Sequence, residues 1–440
     1  MTDKTAAAVS TDPGPVVEID EREARRVVLS SAIGTTIEFY DFGLYGLASV
    51  LVFGPQFFPT SNPTVAQLGA LATFAVGFFM RPVGGIVGGH FGDRIGRKRV
   101  MIWSFMIMGI ATMLIAFLPT YATIGVAAPI LLILLRLVQG FAAGAEWSGA
   151  ALMAVEHAPP NKRGLYGSAP AFGNIGGSFL ASAVLLIASA VNKDAFVSYG
   201  WRIAFGISFV LVIFGFYLRR RVSESPLFEV ALTTEPPKVP LMTVLTKHPL
   251  SILRCMSWVL VSGATGYIVN TYGITFAMDS TKSSRDVVLL LLNVAYVVCI
   301  IAILVVGRLL DRWRRPVLIA VALVQVPCAV LLFPLLSIGS LATTALAFCL
   351  VFLGVGMIEA TRGDVLTNLF PVEVRYTGVA LSHNLAYVLA GLAPLASAAI
   401  VANTGTIAPM VGILAVIALI ALPTAFVRRR TDEPVIPLAP

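Results

Sequence analysis

The sequence predicts an all-α membrane protein of twelve transmembrane helices, arranged as two six-helix halves, on three observations. Its composition is that of a chain whose outer surface meets lipid. Its apolar residues fall in runs of membrane-spanning length. Two loop motifs recur about half a chain apart.

Hydrophobic residues make up 57% of the 440 residues, charged residues 12%, and the mean hydropathy is +0.87. A soluble domain carries roughly 25% charged residues to cover itself with polar surface, so the expected surroundings are a lipid bilayer. The net charge of +8 sits in short clusters between apolar runs, with no basic face and no interleaved aromatic platform, which argues against a nucleic-acid partner. Cys255, Cys299, Cys328 and Cys349 lie far apart in apolar stretches without metal-ligand spacing. They read as buried thiols, and no metal site is expected. The first apolar run, from about 27 to 53, is longer than the ~7–15 residues of a signal-peptide core, so no cleaved leader is expected, and the C-terminus shows no lipidation motif.

A helix crossing a ~30 Å hydrocarbon core needs about 20 mostly apolar residues. That rule places spans near 29–53, 67–89, 100–118, 126–148, 165–191 and 201–218, then near 251–278, 287–307, 316–337, 341–367, 377–402 and 407–427. The period-2 alternation of barrel strands is absent. The divisions are a tail (1–28), an N-terminal bundle (29–218), a charged, proline-containing linker (219–250), a C-terminal bundle (251–427) and a second tail (428–440). Orientation follows from Lys and Arg in the connections. With both termini in the cytoplasm, only Lys193, Arg202, Lys282 and Arg285 fall on the outer side, and Arg81, Arg136, Arg254 and Arg362 lie within spans. The expected location is a bacterial-type inner membrane.

The loop after the second span runs Gly-His-Phe-Gly-Asp-Arg-Ile-Gly-Arg-Lys-Arg from Gly89 to Arg99, and the loop after the eighth runs Gly-Arg-Leu-Leu-Asp-Arg-Trp-Arg-Arg from Gly307 to Arg315. Both contain Gly-x3-Asp-Arg followed by basic residues, 218 residues apart, and Trp313-Arg314 stands where the first copy has Ile95-Gly96. The loops after the fourth and tenth spans share Pro-x3-Arg (Pro159/Arg163 and Pro371/Arg375), 212 residues apart. Two matches at nearly one offset indicate duplicated halves, a plan in which the substrate lies at the midplane between them.

These motifs carry a resemblance over essentially the whole chain. The pattern resembles the major facilitator superfamily and, within it, the metabolite:proton symporters of shikimate, α-ketoglutarate, citrate and proline/betaine. The matching stretches are Gly34–Phe42, Arg81–Gly85, Gly88–Arg97, Arg136–Gly140 with Gly144–Trp147, and Leu369–Pro371 with Arg375–Gly378. The resemblance implies a major facilitator fold and alternating access, usually as a monomer. It also implies that Asp41 and Arg136, at the acidic and basic motif positions, form the proton-coupling pair.

Charges inside spans cost roughly 2.5–3.5 kcal/mol each on insertion scales and are functional candidates. Asp41 lies about 11 residues into the first span, ~16 Å at 1.5 Å per residue, and Arg136 lies at similar depth in the fourth. Either they couple proton to substrate or they form a structural ion pair. Glu38 stands three residues before Asp41 on the same face. An anion engaging Arg136 would leave Asp41 readier to take a proton, and by linkage the proton would favour the anion equally. Arg81, a second basic residue in this half, suits a carboxylate or pairs internally with Glu146; Glu146 and Trp147 are candidates for the cavity wall. Glu359 and Arg362, at i,i+3, are read as satisfying each other. His383, the one histidine well inside a span, is either a proton or substrate site or a neutral hydrogen-bonded one. Tyr40, Tyr45, Gln139, Asn174, Tyr267, Asn270 and Asn384 are the remaining polar candidates for lining a cavity.

In the loops, Asp93, Arg94, Arg97, Glu156 and Arg163 of one half, with Asp311, Arg312, Glu373 and Arg375 of the other, are expected to form a cytoplasmic gate, because acids recur among the bases at repeat-related positions. No phosphate-cradling G-x4-G-K-[ST] is present, nor H-E-x-x-H or G-x-S-x-G. The sequence therefore reads as a transporter and not an enzyme, with a proton gradient as its energy source and no cofactor. The expected cargo is a small organic acid with protons. A proton-driven exporter is the rival, because Pro170-x2-Gly173-x2-Gly176-Gly177 partly matches the antiporter motif; a zwitterionic osmolyte is the alternative cargo.

Overall fold

Lipid offers a backbone N–H or C=O no partner, so a chain crossing it must satisfy these groups within itself. The computed structural model describes residues 21–60, 62–95, 97–156, 163–191, 196–220 and 240–428, and among them there are helices and no strand. Eleven stretches are long and apolar enough to cross a membrane: α1 (Arg26–Phe57), α2 (Pro63–Gly88), α3 (Arg99–Phe117), α4 (Ala127–Ala145), α5 (Gly164–Ala190), α6 (Phe196–Tyr217), α7 (Pro249–Thr281), α8 (Arg285–Ser337), α9 (Leu341–Leu369), α10 (Thr377–Thr404) and α11 (Ala408–Phe426). Side chains such as Phe79, Trp103, Phe117, Leu253, Leu323 and Ile420 stand exposed around the outside. Exposed apolar surface on this scale marks a face that meets lipid or another protein.

At 53 residues, α8 would be roughly 80 Å long if straight, more than twice the bilayer core. It is not straight. Trp313 leaves helical geometry at φ −135°, ψ 55°, within the second copy of the loop motif. Pro316 follows, without an N–H and crowding the carbonyl of Arg312, four residues back. One element thus contains what the sequence divides into an eighth and a ninth span.

The repeat extends into backbone irregularity. α1 carries a π-helical turn at Ser49–Phe53 and α7 carries one at Val269–Gly273, 220 residues on. Such turns re-aim side chains and recur at functional sites. α5 packs against α8, and α2 against α10, joining the halves. Within the linker, residues Pro240–Lys247 form a short helix that buries Val244 and exposes Met242 and Leu245.

Glycines set the closest crossings. A Cβ on Gly140 would lie 1.7 Å from the Gly77 carbonyl oxygen, and one on Gly144 would lie 1.9 Å from that of Arg81, so α2 and α4 touch backbone to backbone. On α5, Gly173 and Gly177 meet the Ala32 and Thr36 carbonyls of α1 at 2.4 and 2.3 Å in the same sense. Packing thus accounts for these two glycines of the antiporter-like stretch.

Gly140→Leu should separate α2 from α4 and lower stability by at least the ~1–3 kcal/mol of overpacking. The expected readout is loss of the monodisperse peak in detergent gel filtration. Gly206→Ala, where nothing lies within 4 Å of the new Cβ, should elute unchanged.

Candidate functional site: buried charge between the two halves

The α2–α4 crossing brings two arginines to one place. Arg136 on α4 and Arg81 on α2 are both 0% exposed. The Arg136 guanidinium carbon lies 4.3 Å from the ring centres of Phe42 and Tyr45, 5.3 Å from Phe74 and 5.6 Å from Phe78. Arg81 lies 5.1 Å from Phe42, 5.9 Å from Phe78 and 4.9 Å from Tyr387 of the other half. The two cations share Phe42 and Phe78. A desolvated cation–π contact is worth about 2 kcal/mol or more, the same order as the insertion cost of one charge.

The acids sit beside them. Glu38 Oε1 lies 3.5 Å from Arg81 Nη2. Thr112 on α3 donates to Asp41 Oδ2 at 2.8 Å, Gln139 Nε2 donates to Thr112 Oγ1 at 2.7 Å, and Arg136 Nη1 donates to Gln139 Oε1 at 3.3 Å. Asp41 and Arg136 are thereby linked through an uninterrupted buried relay. Among the described residues, Nε and Nη2 of Arg136, and Nε and Nη1 of Arg81, have no hydrogen-bond acceptor. Tyr45 donates to Thr73 at 2.9 Å, while Tyr40 donates to the Ala204 carbonyl on α6 at 2.7 Å, directing its hydroxyl toward that helix.

Across the interface, Arg362 on α9 pairs with Glu359, donates to the Tyr387 hydroxyl at 3.2 Å and reaches Ser262 at 3.2 Å. Tyr296 donates to Asn270 in the α7 π-turn at 2.8 Å. His383 is fully buried, its ring 4.5 Å from that of Tyr387. Asn384 of α10 lies over Gly85 of α2, its Nδ2 2.8 Å from where a Cβ would stand. Between the halves is a cavity of about 30 Å³, lined among others by Asn174, Ser262, Tyr267, Asn270, Glu359 and Tyr387. That volume holds a water or two, so the centre is closed around itself. Tyr267 and Tyr387 stand between this cavity and the arginine box, Tyr267 packing on Phe74 and Phe78 at 5.5 and 5.2 Å.

At the N-terminal side of the bundle, Asp311 from the second loop motif accepts from the backbone N–H groups of Gly164 at 2.6 Å and Leu165 at 3.2 Å. The contact joins the halves at the start of α5. At the opposite side Gln67 donates to Thr275 at 3.1 Å, beside a vestibule of about 800 Å³ lined by Pro59, Thr64, Gln67 and Asp279 among others. Arg314 binds Asp364 at 2.6 Å and the Val427 carbonyl at 2.9 Å, bracing the bend at Trp313.

The structure therefore gathers Glu38, Asp41, Arg81, Arg136, Tyr45 and Gln139 in one half, and Asn174, Tyr267, Asn270, His383 and Asn384 along the interface. Arg312 stacks on Trp313 at 4.9 Å, and Arg375 reaches the Phe370 carbonyl at 3.4 Å. The side chains of Asp93, Arg94, Arg97, Glu146, Trp147, Glu156, Arg163 and Glu373 lie outside the described residues. Sequence reasoning passed over Thr112, the middle of the relay, and Ser262, because a lone hydroxyl in an apolar helix gives no signal. It also passed over the rings of Phe42, Phe74 and Phe78, whose α2 pair lies four apart on one face.

A helical bundle closed around a buried, charge-balanced centre between two repeated halves is the architecture of a membrane transport protein. The profile of the Major Facilitator Superfamily matches residues 31–380 and again 259–439, and the chain belongs to that superfamily. It is 42% identical over 392 residues to the inner membrane metabolite transport protein YhjE of Escherichia coli, covering 86% of this chain and 88% of that one. It is 35% identical to the shikimate transporter of Escherichia coli (91% and 92% covered) and 33% identical to the proline/betaine transporter of Salmonella typhimurium (95% and 86%). Among solved structures, the proton:xylose symporter XylE bound to 6-bromo-6-deoxy-D-glucose superposes with a TM-score of 0.73 at 16% identity, covering 93% of this chain and 97% of that one.

Thr112→Val keeps the volume of the side chain and removes the centre of the relay, leaving Asp41 and Gln139 each short of a bond. The expected loss is about 1–3 kcal/mol, read as a lower melting temperature of the purified protein, with Thr112→Ser restoring it.

Proposed function

We propose that the chain is a secondary active transporter that takes up a small organic anion together with protons, crossing the cell membrane twelve times with both termini in the cytoplasm. The break at Trp313 supports the twelfth crossing, since a 53-residue helix that bends there has length for two. An even count returns the chain to its starting side, where the basic loops lie.

The observation that carries the coupling is the relay between Asp41 and Arg136 beside N–H groups that lack acceptors. Glu38, Asp41, Arg81 and Arg136 sum to zero charge when all are ionised. A proton on Asp41 leaves one excess positive charge in a closed, low-dielectric centre, where it is expensive. An anion bound to the arginines cancels it. Proton and anion thus favour each other by the same free energy, which is the requirement for symport. The aromatic box favours an anion over a quaternary ammonium, because the rings that would grip such a cation already hold Arg81 and Arg136. The proline/betaine relative nevertheless makes a zwitterion the second cargo to test. Asp311 on the Gly164 and Leu165 amides would act as the cytoplasmic latch that must open for release.

The test is uptake into proteoliposomes of radiolabelled shikimate, 2-oxoglutarate, citrate, proline and betaine, with and without an acid-outside gradient. Accumulation of an acid only with the gradient is expected. Asp41→Asn should still exchange that acid across the membrane but lose the share of accumulation that the Asp41 proton drives, and Arg136→Lys should weaken binding at least tenfold, since lysine lacks the planar fork. Gradient-driven loss of preloaded compound would overturn uptake in favour of export.

A further inference from the structure

Resting on this reading, we propose that Glu359 is a second proton-binding carboxylate and that Arg362 beside it receives a carboxylate group of the substrate. Glu359 is 2% exposed and lines the cavity between the halves. One of its oxygens pairs with Arg362, and the other, Oε2, is buried with no hydrogen-bond partner among the described residues. A buried carboxylate oxygen that merely held its arginine would be filled by a donor, because an unmade bond at such an atom is costly. This one belongs to a side chain that lines the cavity, where a mobile group could reach it.

The neighbours fix the arginine more firmly than the acid. Tyr387 from α10 and Ser262 from α7 hold the Arg362 guanidinium at 3.2 Å each, independently of Glu359. The titratable and charged groups around the pair are Arg362 on α9 itself, Tyr267 and Cys255 on α7, Tyr296 and Cys299 on α8, and His383 and Tyr387 on α10, with Arg81 of α2 behind the Tyr387 ring. Asn174 and Ser178 on α5 complete the wall with neutral groups. Among these described groups there is no second acid, so a proton on Glu359 takes away the negative charge that it supplies to Arg362. A substrate carboxylate entering the cavity then replaces the lost charge on a guanidinium already held in place. Here the exchange occurs at the cavity wall itself, whereas Asp41 and Arg136 lie behind the rings of Tyr267 and Tyr387.

The consequence is a proton count. Each proton carried per substrate multiplies the equilibrium accumulation about tenfold per unit of pH gradient. Glu359→Gln mimics the protonated acid permanently, so it should still exchange the transported acid while accumulating about tenfold less across a one-unit gradient. Glu359→Asp should restore the wild-type ratio. Wild-type accumulation in Glu359→Gln would overturn the proposal, while failure of the unmutated protein to accumulate any acid of the panel would instead overturn the symport reading beneath it. A structural counter-ion would lower the yield of folded protein without changing the ratio per folded molecule.

Should Glu359→Gln not fold, the wild-type protein decides. Dicyclohexylcarbodiimide, an apolar reagent that modifies protonated carboxyl groups, should label Glu359 in acidic buffer, less as pH rises, and less again when the transported acid is present. Mass spectrometry finding Glu359 unlabelled at every pH, with label elsewhere in the protein, would refute it.

Discussion

Two guanidiniums buried within membrane-spanning helices are the constraint around which this molecule is arranged. Each must be hidden from lipid and given electron density to rest on, and few acceptors are within reach. The solution is a wall of rings, Phe42, Tyr45, Phe74 and Phe78, completed by Tyr387 from the other half. That solution demands that α2 and α4 cross close enough for Arg81 and Arg136 to use the same faces. Gly77, Gly140 and Gly144 make the crossing possible: a side chain at Gly140 or Gly144 would meet a carbonyl oxygen, and one at Gly77 would meet the Arg136 side chain itself. The packing motif and the charge centre are therefore one feature, and a change at either should be felt at both.

Much of this was legible in the sequence, for physical reasons that apply to membrane chains in particular. Lipid forces spans to be long and apolar, so their number and place follow from counting, and a charge inside one stands out against its surroundings. Glu38, Asp41, Arg81 and Arg136 are conspicuous for that reason, as is the pairing of Glu359 with Arg362 three residues apart. What the sequence does not carry is azimuth. Nothing in it reveals that Glu38 belongs to Arg81, or that Tyr40 donates to Ala204 on α6. Nor does it reveal that the link from Asp41 to Arg136 passes through a threonine on a third helix. The loop residues expected to form the gate are recognisable by their recurring acids and bases, but not by the bonds they make. Asp311 accepts from two backbone amides across the interface, a bond that leaves no trace in side-chain identity.

The repeat deepens when backbone geometry is added to it. Ser49–Phe53 and Val269–Gly273 share no sequence pattern, yet both are π-turns half a chain apart in corresponding helices. A π-turn rotates the residues beyond it, and in α7 it carries Asn270 to Tyr296 and the cavity wall. The two halves thus conserve a way of bending while differing in what they present. One keeps its charges behind aromatic rings, and the other exposes an acid to the cavity. On the proposed reading such division suits a carrier, since each side of the interface would have its own means of registering what has bound.

The balance of charge also bears on the direction of coupling. A carrier that exchanges protons for a cationic drug needs a centre left negative when the proton departs, so that the drug can take the proton's place. Here the N-terminal centre carries two acids against two arginines, and the C-terminal pair carries one of each. Deprotonated, both are neutral and offer a cation nothing; protonated, both are positive and call for an anion. If the proposed sites take up protons as argued, neutrality in a low dielectric, worth several kcal/mol, makes the two cargoes travel in the same state and therefore in the same direction. On the proposed reading, uptake then follows from the sign of the membrane's proton gradient.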